Sequence, residues 1–244
     1  MESIGDIIKR TQVAPRVEAS LEEVPAAVCP LCEGVGFLRH AVPLDHPDFG
    51  RAFPCQCTLQ EFEVRYLASL PRGMTFSDFH PEPYQLKALH QANAYAQGKL
   101  ETPWLVLIGG LGTGKTHLAV AVLHEMASTG QFGAFWVVAD LLDWIRQGIG
   151  EEEGQDAQDR INGLIAIAGP LALDDWGRHT MSAWVEEELF RLVDARYRYR
   201  RPTIITTNLP RSVWPEALLD RAMDRRVSTV VALTGPSYRT GKSY

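Results

Sequence analysis

From residue 104 onward, short apolar runs alternate with longer amphipathic stretches. The runs at 104–108, 134–139, 170–174, 203–207 and 229–233 are mostly apolar, as expected of strands buried on both faces. Between them, 115–129, a stretch from 140, 182–198 and 215–226 repeat their apolar residues at helical spacing. Strand and helix in turn build βαβ units, so the pattern predicts an α/β fold: a mostly parallel five-stranded sheet between two helical layers. Upstream, 59–70 and 83–97 predict helices and 75–79 a short extended segment, with Pro71, Arg72 and Gly73 as a linker. The polar interruption 147–160 predicts a mobile loop.

These readings divide the chain into a flexible segment 1–24, a small module 25–70 and a main domain 71–244. Ile4, Ile7 and Ile8 share a face at the N-terminus, which suits either a short docking helix or a disordered tail. A chain of 244 residues can bury one ordinary core and still carry an appendage. No apolar run approaches the length of a bilayer span, and Glu2 and Asp6 interrupt an N-terminus that lacks the apolar core of an export signal. A cytoplasmic location is therefore expected, and there the four cysteines would stay out of disulfides. A net charge of −6 argues against coating nucleic acid by bulk positive potential, so any DNA contact must be local.

The chemistry concentrates where the 104–108 run breaks into Gly109, Gly110, Leu111, Gly112, Thr113 and Gly114 and re-emerges as a helix at Lys115. A strand, a glycine-rich turn and a helix opening on Lys-Thr make a phosphate-binding loop: amide N–H groups and the helix dipole face an anion. Lys115 would neutralise the β- and γ-phosphates of ATP or GTP, and Thr116 would place its hydroxyl on Mg²⁺. A glycine turn with a purely structural role is the plainer alternative. The strand near 170–174 ends in Asp174 and Asp175, placed to hold the Mg²⁺ and to orient or deprotonate the attacking water. Asn208 at the end of the 203–207 strand would contact the γ-phosphate or that water.

Arg221 and Arg225 lie four apart on one helical face, either interlaced with Asp220 and Asp224 or offered to a neighbouring subunit's ATP. The run from Arg196 to Arg201 interleaves cations and tyrosines; its place at a helix C-terminus before Pro202 favours a structural role over nucleic-acid stacking. Every cysteine falls in two close pairs, Cys29 with Cys32 and Cys55 with Cys57, the spacing of a structural zinc staple. The tighter second pair leaves room for His40 or His46 to replace one sulfur. Four protein ligands would leave no open position for catalysis.

Taken together, the cysteine knuckle, GGLGTGKTHLA, LDDWG, TIITTNL and the closing GPSYR resemble the bacterial replicative helicase loaders of the DnaC and DnaI type, over about residues 29–244. That resemblance implies a P-loop AAA+ ATPase domain behind a zinc-bearing module. It implies that Asp174 and Asp175 form the Walker B pair, Asn208 sensor 1, Arg225 a trans-acting finger beside Arg221, and Arg239 the sensor 2 arginine. It further implies a hexameric helicase and single-stranded DNA as partners, and self-association through the ATPase domain. Two departures stand out: the Asp175 base, seen among such loaders but a glutamate in most ATPases, leaves the hydrolysis rate open, and the Cys55-x-Cys57 spacing leaves the ligand set open. The segment that contacts DNA in such loaders, about 140–165, is moreover acidic here at Glu151, Glu152 and Glu153. Two other readings compete: an IstB-like transposition helper ATPase, a group that generally lacks the cysteine module, and a nucleotide-dependent adaptor that scarcely hydrolyses.

Overall fold

The computed structural model describes residues 29–33, 35, 37–38, 49, 52–147, 155–177, 183–238 and 240. The chain forms two compact units, one ending at Leu59 and the other beginning at Gln60. In the first, β1 (Phe37–Leu38) pairs antiparallel with β2 (Phe53–Pro54). Helix α1 (Gln56–Ser69) starts there and continues into the second unit.

The second unit carries a 3-10 turn at Pro83–Gln85 leading into α2 (Leu86–Ala96), then β3 (Trp104–Gly109) and α3 (Lys115–Ser128). There follow β4 (Ala134–Val137), α4 (Val138–Gln147), α5 (Gln155–Ala166), β5 (Leu171–Trp176) and α6 (Ala183–Arg198). The unit closes with β6 (Thr203–Thr207), α7 (Glu216–Met223) and β7 (Ser228–Leu233). The five strands run parallel in the order β4-β5-β6-β3-β7. The expected five-stranded parallel α/β fold is what forms.

Strand pleating sorts the side chains into two cores. Leu105, Leu107, Ala172 and Ile204 face α2 and α3, while Trp104, Val106, Leu173 and Ile205 face α4 to α7. With both faces covered, these strands have no reason to alternate apolar with polar residues, which is why they read as continuous apolar runs.

Two expectations need correction. Segment 75–79 is a turn rather than an extended piece, because the Asp78 carboxylate accepts hydrogen bonds from both the N–H and the hydroxyl of Thr75, at 3.1 and 2.6 Å. The second half of the loop expected at 147–160 is the start of α5, which has few apolar positions but seats Ile161 and Leu164 in the core. Residues 148–154 lie outside the described residues.

Candidate functional site

The parallel sheet brings the C-terminal ends of β3, β5 and β6 together, and the chemically suggestive residues sit at those ends. After β3 the chain turns through Gly112 (φ 71°) and Gly114 (φ 97°), left-handed conformations that a Cβ disfavours. Lys115 opens α3 almost fully buried, its Nζ donating to the Gly110 carbonyl at 2.7 Å. The Thr113 hydroxyl reaches the same carbonyl at 3.0 Å. A cavity of about 460 Å³ opens beside the loop, within the range of small-ligand sites, walled by Phe79, Gln85, His117, Asp175 and Tyr238.

Asp174 is 3% exposed and accepts hydrogen bonds from Thr116 at 3.0 Å and Thr206 at 2.6 Å. Burial pushes its carboxyl above the usual range; those hydroxyls and Lys115 oppose the shift, and neighbouring Asp175 adds to it. A buried carboxylate held mainly by hydroxyls suits a divalent cation, which would compensate the charge that burial penalises. Asp175 adopts φ 55°, and the pairing of β5 with β6 slips between Leu173 and Trp176. This bulge turns Asp175 out of the pleat into the cavity wall, its N–H anchored on the Thr206 hydroxyl at 3.0 Å. Asn208 follows β6, next to the loop strand, and its buried Oδ1 has no hydrogen-bond partner among the described residues. An unpaired acceptor beside a phosphate loop fits a site completed by a ligand.

The arginines separate by environment. Arg221 is tied within its own chain, to Asp194 at 3.0 Å and over the rings of Phe190 and Tyr197. Arg225 is exposed and makes no ion pair among the described residues. It precedes β7, whose first residue Ser228 pairs with Trp104, the end of β3 away from the loop. At about 3.3 Å per residue the length of β3 separates the two by roughly 16 Å. The structure therefore does not bring Arg225 to its own loop. Arg239 lies outside the described residues.

Arg196 is fully buried; burial pushes its guanidinium down to about 10. It donates to the Thr203 hydroxyl and to the carbonyls of Leu164, Ile167, Gly169 and Pro202. It ties the end of α5 to the start of β6, the structural role its position suggested.

In the first unit the Cys29–Glu33 turn closes with Glu33 N–H on the Cys29 carbonyl at 2.8 Å. Cys55 ends the extended segment and Cys57 sits in the first turn of α1, so the change of backbone conformation between them spreads the crowded pair. All four sulfurs lie within 4.8 Å of one another, with Cys29 to Cys55 at 3.8 Å and Cys32 to Cys57 at 3.5 Å. A tetrahedron of zinc–sulfur bonds of about 2.3 Å requires sulfurs about 3.8 Å apart, so the set fits zinc. Backbone N–H groups of Leu31 and Cys32 pull the Cys29 thiol down to about 7, toward the thiolate a metal needs. Among the described residues the cluster consists of the four cysteines; His40 and His46 lie outside them.

Sequence reading missed Thr206, which links Asp174 to Asp175 through one hydroxyl, and Gln85, 2% exposed against the loop. For Thr206 a signal was present: a threonine buried in an interior strand needs a polar partner. Gln85 had none, since its partner is a carbonyl 28 residues away.

A glycine-rich loop opening on Lys115 beside a carboxylate-tipped strand, with β6 between them in a five-stranded parallel sheet, defines a P-loop nucleotide-binding module. The chain belongs to the IstB-like ATP-binding protein family, whose pattern matches residues 84–243. It is 28% identical to the replicative helicase loader DnaC of Escherichia coli (strain K12), over 100% of both chains. An insertion sequence IS232 putative ATP-binding protein of Bacillus thuringiensis is 30% identical over 77% of this chain and 70% of its own. Among solved structures, the DnaC helicase loader superposes with TM-score 0.57 at 23% identity, over 70% of this chain and 99% of that one. DnaI gives 0.54 at 21% identity, over 68% and 95%. Among the described residues no helix is long and apolar enough to cross a membrane.

Proposed function

We propose that the chain is an ATP-dependent loader of a replicative DNA helicase, with a slow or DNA-stimulated ATPase. The observation that carries this reading is the extent of similarity. The alignment with the Escherichia coli loader runs through the cysteine-bearing segment to both ends, whereas the insertion-sequence relatives align over 55% to 78% of this chain.

In this reading the amides of residues 109–114 and Lys115 seat the triphosphate of ATP. Thr116 and Asp174 would hold the Mg²⁺, which neutralises charge developing on the phosphoryl group. Asp175 orients the attacking water and takes its proton, and Asn208 directs its Oδ1 at the same water. Because an aspartate is one methylene shorter than the usual glutamate, turnover without DNA is slow. Arg225 serves the nucleotide of a neighbouring subunit, Arg239 the γ-phosphate, and single-stranded DNA binds the ATPase domain. The module 25–70, stapled by zinc on Cys29, Cys32, Cys55 and Cys57, grips the helicase. A transposition-helper ATPase is the second reading, favoured by the matched family itself.

Mixing the purified protein with a hexameric helicase or a transposase, with ATP and single-stranded or duplex DNA, separates the two. Helicase capture with single-stranded-DNA-dependent turnover is the expected result. Capture of the transposase with duplex-dependent turnover would replace the loader reading by the second.

A further inference from the structure

Resting on the nucleotide reading of the loop, we infer that Gln85 is a positioning residue: it fixes the orientation of the Thr113–Gly114 peptide and so keeps the phosphate cradle formed before ATP arrives. In a trans peptide the carbonyl and the following N–H point in opposite directions. Gln85 Nε2 donates to the Thr113 carbonyl at 2.8 Å, which turns the Gly114 N–H the other way. Reversing that peptide would present an oxygen where an anion needs a donor. Nothing intrinsic prevents the reversal, because Gly114 sits at φ 97° and glycine crosses freely between such conformations. The restraint must come from outside the loop.

Gln85 is built for it. Its Oε1 accepts the Glu82 N–H at 2.8 Å, so rotating the amide would break both bonds at once. It is 2% exposed, so water does not substitute for the donor. Phe79 from the same segment packs where a Gly114 side chain would stand, 2.7 Å from that position. On the preceding peptide, the Tyr238 N–H donates to the Gly112 carbonyl at 2.9 Å. Two successive peptides are thus clamped from outside the loop, one by the backbone of Tyr238 and the other by the side chain of Gln85.

The test compares ATP affinity, by titration, for wild type, Gln85→Met and Gln85→Glu, each as a ratio to wild type at the same pH. At about pH 8 both variants lose the donor, and affinity is expected to fall by about tenfold or more in chains that remain folded at the temperature of the titration. At about pH 5, burial raises the introduced carboxyl into its neutral form. It then donates to Thr113 while accepting from Glu82. Gln85→Glu is expected to recover to within about threefold of wild type, and Gln85→Met to stay weak. Unchanged affinity in both variants, or equal weakening of both at both pH values, would overturn the inference. If Gln85→Glu does not fold at the higher pH, the Gln85→Met ratio decides alone: tenfold supports, unity overturns. A wild type that takes up no ATP would instead remove the nucleotide reading beneath it.

Discussion

Asp174 is where burial and chemistry meet most sharply. Its carboxyl is raised in the folded chain, so between the ordinary carboxylate range and that raised value the folded state holds more protons than the unfolded one. Stability of the unliganded protein therefore falls as pH rises through that window and stays reduced above it. Asp174→Asn removes the charge while keeping an acceptor for Thr206. Its unfolding midpoint, measured without nucleotide, is expected to rise relative to wild type as pH increases from about 4 to 7, while Mg²⁺ no longer strengthens ATP binding. A difference that does not change with pH would contradict the burial argument. Asp174 and Asp175 were both legible in the chain as acids ending an apolar run. Thr206, which supports both, carried only the general signal of a hydroxyl in an interior strand, which calls for a polar partner without saying which one.

At the scale of elements, the sheet could be read because its strands are covered on both faces and stay apolar along their length. The departures have physical causes. α5 spends most of its surface on solvent and offers few apolar positions, and the 75–79 turn depends on one aspartate reaching back three residues. The arginine-tyrosine run at the end of α6 is no departure: its place before Pro202 points to a structural role, and Arg196 spends its donors on carbonyls of its own chain. The cysteine pairs were legible from spacing; how the second pair avoids crowding was not, since that depends on a strand giving way to a helix between them. One equivalent of zinc per chain is expected by metal analysis. Chelation should unfold the first unit while the second keeps its transition, since a small module has little core to replace the metal. Less than about half an equivalent, with no change on chelation, would contradict the staple.

For the whole molecule the decisive feature is which groups lie at opposite ends of the sheet. The loop sits at the C-terminal end of β3 and Arg225 near the other, so one subunit cannot supply both to one nucleotide. Mixtures of Arg225→Ala and Lys115→Ala chains, each inactive alone, are expected to recover part of the DNA-stimulated turnover, because a mixed interface pairs an intact loop with an intact arginine. No recovery at any ratio would return Arg225 to the ordinary surface.

Assembly, hydrolysis and the clamp on the loop all presuppose that a magnesium nucleotide occupies the bend between β3 and α3. The most direct measurement is a calorimetric titration of the full chain with ATP, with and without Mg²⁺, against the Lys115→Ala variant. Saturable uptake of one ATP per chain is expected, strengthened by Mg²⁺ and lost in the variant. Heat indistinguishable from dilution in the wild type, or identical uptake by both proteins, would contradict it.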